Sequence, residues 1–254
     1  MSMHRLLRGA VKAGVYALCL FGAASPAAAA TFSVNPTQIF LARDVKSALL
    51  TVRNDSADVV RFQITAFGWN QTESGDISLS PTSDVVFFPA LIALNPQESR
   101  QIRVGAVTAT AATEKTYRIF VEELPSATAA TEGGVRVLTK MGIPIFVRPA
   151  KETATATLQD LRAAGGVMRF DVANSGTVHF VPQRARLRGI GGGGKEMFEQ
   201  EFSAWYILAG GHRAFEVPLP AGDCTQVSSV VVEFGIGTTS LSETLQTPGG
   251  VCAP

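Results

Sequence analysis

From Ser47 onward the chain alternates apolar and polar residues with a period of two, in short runs closed by turn residues. That pattern restricts it to a fold of many short, half-buried strands. Ser47-Ala-Leu-Leu-Thr-Val-Arg53 stops at Asn54-Asp55, and Val60-Arg-Phe-Gln-Ile-Thr-Ala-Phe67 alternates cleanly. Gln101 to Val104, Thr116 to Val121 and Val135 to Met141 repeat the pattern, the last continuing into Ile143-Pro-Ile-Phe-Val147. No stretch combines a 3.6-residue period with helix caps. Strands at roughly ten-residue spacing predict antiparallel sandwiches rather than a parallel sheet with crossover helices. A break falls at Arg148-Pro149-Ala150, where proline withholds a backbone donor and suits a linker. After it a second series runs through Ala154–Leu158, Val167–Val172, Thr177–Leu187, Glu199–Ile207, Arg213–Val217 and Ser228–Phe234. Each half is near the ~100 residues of an immunoglobulin-like sandwich. The expected fold is therefore all-β, with two immunoglobulin-like β-sandwich domains over 31–148 and 154–254 and a linker over 149–153. Ser126 to Gly134, small and polar, reads as a long hairpin loop.

The first thirty residues follow a different rule. His4, Arg5, Arg8 and Lys12 precede an apolar stretch, Ala13 to Phe21, and Ala28-Ala29-Ala30 forms a small-residue cleavage site. Residues 1–30 thus read as a signal peptide, too short in its apolar part to span a bilayer. No later segment has ~18 uninterrupted apolar residues, so no membrane insertion of the mature chain is expected. Removing the signal takes three basic residues and no acid, which turns the net charge of +1 into −2. A charge that small, and of that sign, excludes a nucleic-acid binder held by phosphate neutralisation. Two cysteines then remain, Cys224 and Cys252, and an even count in an oxidising compartment predicts one disulfide.

Motifs that imitate catalytic sites do not hold together. Gly189-Ile-Gly-Gly-Gly-Gly-Lys195 fits G-x-x-x-x-G-K, but Glu196 follows where a metal-binding Ser or Thr belongs, and no helix pattern opens there. A glycine-rich hairpin tip is the expectation. His179 and His212 are too few for a zinc site without carboxylates, and no G-x-S-x-G elbow is present. His179 follows the turn Asn174-Ser-Gly-Thr, which favours a surface or turn-packing role. Trp69 and Trp205, one in each half, are expected to anchor the two cores, with partners for their N–H groups. No enzyme activity, metal or cofactor is expected.

Five segments in order resemble the periplasmic pilus and fimbrial assembly chaperones of the chaperone–usher pathway, the PapD-like family. They are Phe32-Ser-Val-Asn-Pro-Thr-Gln-Ile-Phe-Leu41 with Val52-Arg-Asn54, Phe67-Gly-Trp-Asn-Gln71, and Pro89 to Val104. Tyr117-Arg-Ile-Phe-Val-Glu-Glu-Leu-Pro125 and Gly142-Ile-Pro-Ile-Phe-Val-Arg-Pro149 complete the set. The second half matches less, through Asn174 to Phe180 and Glu233-Phe-Gly235. Trp-Asn-Gln and Ile-Pro-Ile-Phe-Val look most like the archaic branch, which serves Csu or spore-coat-U-type pili. The resemblance implies a boomerang of two sandwiches in the periplasm. Such a chaperone caps pilus subunits by donor-strand complementation and passes them to an outer-membrane usher. The alternative class is a structural pilin or adhesin-type subunit.

The resemblance also implies site residues. The lending strand falls on Val135, Val137, Thr139 and Met141, whose spacing of two places them on one face. The other reading is an edge strand packed inside its own domain. The family's basic pair for the subunit's C-terminal carboxylate falls on Gln38 and Pro144, neither of them basic. Arg118, Lys140 and Arg103 are the basic residues on nearby expected strands and replace it in that order. Glu123, Arg148 and Glu233 match an interdomain acid–Arg–acid cluster, with Glu in place of the usual Asp at 233.

Overall fold

The computed structural model describes residues 32–107, 111–125, 137–222, 226–247 and 251. Among them the regular structure is β-strand apart from one 3-10 turn, Gly192–Gly194. The expected signal peptide, the Ser126–Gly134 loop, Val135, Cys224 and Cys252 lie outside the described residues.

The first half builds two facing sheets. One has the order β1 (Phe32–Asn35), β3 (Ser47–Asn54), β8 (Ser99–Ala106), β6 (Val85–Phe88). The other runs β2 (Ile39–Leu41), β10 (Lys140–Val147), β9 (Lys115–Leu124), β4 (Val60–Gln71), β5 (Ile77–Pro81), with β7 (Leu91–Leu94) also on β4. Leu50 and Val52 of β3 and Ile102 and Val104 of β8 are buried against Phe62 and Ile64 of β4, Ile119 and Val121 of β9, and Ile143 and Ile145 of β10. These are alternate positions on every strand, as a pleated sheet requires.

The second half repeats the plan. β11 (Ala156–Ala164), β12 (Val167–Asn174) and β15 (His212–Pro218) face β14 (Glu196–Glu201), β13 (Arg184–Gly191), β16 (Val227–Ile236) and β17 (Thr239–Gln246). Phe170 stacks on Phe215 at 5.2 Å and meets Phe234 edge-on at 5.8 Å, at the centre of a separate apolar core. The glycine-rich segment is a hairpin tip: β13 ends at Gly191, Gly193 and Gly194 turn with positive φ, and β14 starts at Glu196. Two expected strands are shorter than the pattern implied. Thr177–Gln183 makes only one bridge, Phe180 to Ile207, and the strand from Glu199 stops at Glu201. Both apolar stretches are used at the junction between the halves, described below. β17 has no clear apolar alternation because it is an edge strand, exposed on most of both faces.

Each sandwich is pinned by a buried asparagine at the end of a strand, β3 in the first and β12 in the second. Asn54 Nδ2 donates to the carbonyls of Asp58 (2.7 Å), Leu94 (3.0 Å) and Asn95 (3.1 Å), while Oδ1 accepts from Ser56. Asn174 Nδ2 donates to Val178 (2.9 Å) and Ile207 (3.0 Å), while Oδ1 accepts from the N–H of Gly176. Asn54→Ala leaves buried carbonyls without donors and is expected to cost about 2–3 kcal/mol, measured by chemical denaturation.

Candidate functional site

Alternation also shows where something covers the first sandwich from outside. On β4 the even positions Val60, Phe62 and Ile64 face the core, so Trp69 points the opposite way, yet it is 1% exposed. On β10 the core positions are Ile143, Ile145 and Val147, so Phe146 points outward, yet it is 0% exposed. Tyr206 and Leu208 of the second half cover both and form a third apolar cluster with them. Phe146 lies between this cluster and His179, whose ring centroid is 3.7 Å away.

Polar contacts lock the junction. Gln38 Nε2 donates to the Tyr206 hydroxyl. Gln71 Nε2 donates to the Tyr206 carbonyl at 2.6 Å, and its Oε1 accepts the Leu208 N–H at 2.8 Å. The buried carboxylate of Glu114 accepts the His179 backbone N–H at 3.0 Å and lies 2.6 Å from its Nδ1. The hairpin joining β4 to β5 reaches further, where the Glu73 carbonyl accepts the Ala214 N–H at 3.4 Å.

Arg118 is the charged group at the centre. It lies on the outward face of β9, in register with Pro144 on one side and Phe67 on the other. Its guanidinium carbon sits 4.4 Å from the Trp69 ring centroid and 5.0 Å from that of Trp205. The residue is only 9% exposed, and its Nε has no hydrogen-bond partner among the described residues. Burial pushes the guanidinium below its usual value, opposed by Tyr206, although an arginine stays charged at neutral pH. Burial likewise raises the Tyr206 hydroxyl, against the Gln38 hydrogen bond and the Arg118 charge. A buried cation between two indole faces, with a donor left over, is equipped to take a carboxylate.

The structure sorts the expected site residues. The tryptophans are not core anchors: both converge on Arg118, and Trp69 Nε1 has no partner among the described residues. Lys140 opens β10 on the same sheet face as Arg118, but is half-exposed and paired with Glu122 at 2.8 Å. Arg103 lies on β8, in the opposite sheet, too far round the sandwich to join them. Of the lending positions, Val137 is 67% exposed, and the Thr139 carbonyl accepts the Glu123 N–H at 3.0 Å. Met141 packs against its own domain's core, because it shares the inward face of Ile143 and Ile145. Among the described residues the strand begins at Lys140, later than the alternation from Val135 suggests.

The acid–Arg–acid cluster does not form. Glu123 sits on the core face of β9, Arg148 pairs with Glu152 at 3.5 Å and lies over Phe40, and Glu233 is taken by Arg186 and Arg188. Strand register decides this, since Glu233 is directly opposite Arg186 on β13. Burial alone would raise the Glu233 carboxyl, but the Arg188 and Arg186 hydrogen bonds hold it below its ordinary 4.5. A depressed carboxyl stabilises the fold fully above its unfolded value, and the contribution is lost as pH falls through the folded one. Melting temperature is therefore expected to fall from pH 5 towards pH 3, and less steeply in Glu233→Gln, as read by calorimetry across that range.

Known proteins share this architecture. Residues 31–152 match the PapD N-terminal domain of pili and flagellar-assembly chaperones. That PapD N-terminal match spans the first sandwich and the connection after it. No curated protein matches the chain by sequence. Among solved structures, the class 5 fimbriae chaperone CfaA is 14% identical, with a TM-score of 0.57 over 84% of this chain and 98% of CfaA. A second is the CsuC–CsuE chaperone–tip adhesion subunit pre-assembly complex from the archaic chaperone–usher Csu pili of Acinetobacter baumannii. It gives 19% identity and a TM-score of 0.56 over 85% of this chain and 98% of that one. The Salmonella enterica SafA pilin in complex with the SafB chaperone gives 13% and 0.51, over 85% and 96%. At these identities the likeness establishes the fold: two immunoglobulin-like sandwiches in an all-β chain.

Sequence reasoning missed the junction's aromatic set and the Glu114–His179 contact. One signal was present. Ile143-Pro-Ile-Phe-Val147 is apolar almost without interruption, and such a run marks a strand buried on both faces.

Proposed function

We propose that the chain is a periplasmic chaperone for pilus subunits. It is exported by residues 1–30, folded as domains 31–148 and 154–254 around the 149–153 linker, and tied near its end by a Cys224–Cys252 disulfide. The observation that carries the proposal is the PapD N-terminal match over the first sandwich. The mechanism is strand donation. β2 pairs with β10 only at Ile145–Val147, so among the described residues Lys140 to Pro144 has β9 on one side and an open edge on the other. An incomplete subunit sandwich can add its own strand there, with backbone pairing for affinity and alternate side chains for fit, as in pilin donor-strand complementation generally. Arg118, beside Pro144, supplies the charge-assisted anchor for the subunit's terminal carboxylate and so sets register. Lending a strand makes and breaks no covalent bond, so the role needs no catalytic residue or cofactor. The Trp69-Asn-Gln71 and Ile143–Val147 segments favour the archaic branch, with delivery to an outer-membrane usher. The structural-subunit alternative is less favoured, because the matched family is one of chaperones.

The test is co-expression of the tagged chain with a small subunit encoded beside an outer-membrane usher. A one-to-one complex in the periplasmic fraction is expected. Folded chain recovered alone, with the subunit aggregated, would overturn the reading.

A further inference from the structure

The second sandwich carries a polar hollow that neither the junction nor the lending edge uses. On the outward face of its four-stranded sheet Arg184, Gly235 and Ser240 are cross-strand neighbours on β13, β16 and β17, and Arg186, Glu233 and Ser242 form the next row. Gly235 has no side chain, so the first row has a gap. A methyl group there would meet only Arg184, at ordinary contact distances of 3.5 and 3.6 Å, so packing does not demand a glycine at this position. The gap opens into a hollow of about 300 Å³, bounded at one end by the β16–β17 turn, where Gly237 has a φ of +56°.

The donors around this hollow exceed what the fold uses. Arg184 is exposed and makes no ion pair or side-chain hydrogen bond among the described residues. Arg186 gives Nε to Glu233 and Nη1 to Glu199, which leaves its Nη2 without a partner among them. Across the hollow, the hydroxyls of Thr238, Thr239 and Ser240 are likewise unpaired among the described residues. Glu233 is the one acid of the lining, and Arg186 and Arg188 already bridge it. Donor number then selects the ligand. A carboxylate has two coplanar oxygens and is filled by a single guanidinium fork. A phosphate group is tetrahedral, so a guanidinium on one side leaves further oxygens for hydroxyl donors on the other.

We propose that this hollow binds a phosphate group, held by Arg184 and Arg186 from β13 and by the Thr238, Thr239 and Ser240 hydroxyls from the turn and β17. The missing side chain at Gly235 lets the ligand approach the sheet closely, a use to which glycine is suited. The site belongs wholly to the second sandwich, so it works whether or not the first one holds a subunit.

The isotope-labelled full chain is titrated with sodium phosphate at constant ionic strength and followed by NMR, beside a titration with sodium acetate. Saturable shifts centred on the β16–β17 turn are expected with phosphate and not with acetate. Arg184→Gln should weaken binding about tenfold or more, because hydrogen bonds from a charged group are lost. Lys195→Gln, which removes the same charge at the glycine-rich hairpin tip, should leave it unchanged. Gly235→Val fills the gap with a residue that suits a strand, and should weaken binding with the melting temperature unchanged. Two further probes distinguish the sources of the phosphate. Tight binding of glycerol 3-phosphate in solution would identify a soluble phosphomonoester, and sedimentation with phosphatidylglycerol vesicles, lost in Arg184→Gln alone, a lipid headgroup. An equal response to acetate, shifts that do not saturate, or an Arg184→Gln variant that binds as the native chain does would overturn the proposal. Vesicle binding lost equally in Lys195→Gln would also overturn it, by reducing the effect to general surface charge.

Discussion

Arg118→Met is expected to leave the chain folded, with a melting temperature equal to or above that of the native protein, while subunit recovery falls about tenfold or more. The two halves of this expectation have separate causes. The native guanidinium is buried with Nε unpaired among the described residues, held mainly by the faces of Trp69 and Trp205. Replacing a buried charge by an apolar side chain of similar length removes a desolvation cost, and such exchanges are often neutral or stabilising. The proposed carboxylate contact is a charge-assisted bond in a water-poor site, where loss of one partner costs several kcal/mol. Pull-down of a co-expressed subunit, with a thermal melt of the same preparation, reads both halves. Lys140→Ala provides the contrast, since its pair with Glu122 is solvent-exposed and worth about 0–1 kcal/mol. Equal loss in the two variants would shift the anchor away from Arg118.

Phe146→Ala is expected to have the largest effect on stability. Its ring is fully buried, with Trp69, Tyr206 and His179 around it. Emptying such a site costs about 3–5 kcal/mol. The void lies between the two sandwiches, outside either core, so the loss falls on their coupling. Calorimetry should show one transition for the native chain and two for the variant. A variant that still melts in one transition, lowered by the same amount, would assign Phe146 to the first core alone.

What the sequence disclosed and what it hid follow one physical division. Strand alternation is local, so Ser47–Asn54 is legible almost to its ends, Val60–Gln71 as far as Phe67, and Lys115–Leu124 from Thr116 to Val121. Arg118 was legible as a candidate because it is a charge on an apolar strand. Its surroundings were not, since Trp205 and Tyr206 reach it from the other half of the chain, across a contact that no periodicity encodes. The acid–Arg–acid expectation failed for a related reason. Matching residues by position says nothing about which neighbour gets there first, and Arg186 and Arg188 stand directly beside Glu233. Val137, Thr139 and Met141 share a parity, but parity alone does not say whether a face meets a guest or its own core.

The hairpin between β4 and β5 looks like an ordinary surface turn, the kind of place where protein engineers insert tags and where natural variants accumulate freely. Gly75 at its tip has a φ of +80°, and a single methyl group there would stand 2.6 Å from Cγ of Arg213 on the second sandwich. This turn is thus the tip of a lever resting on the neighbouring domain. Substitutions in it should behave as mutations of the joint, altering how the two halves move together while sparing the melting of either one.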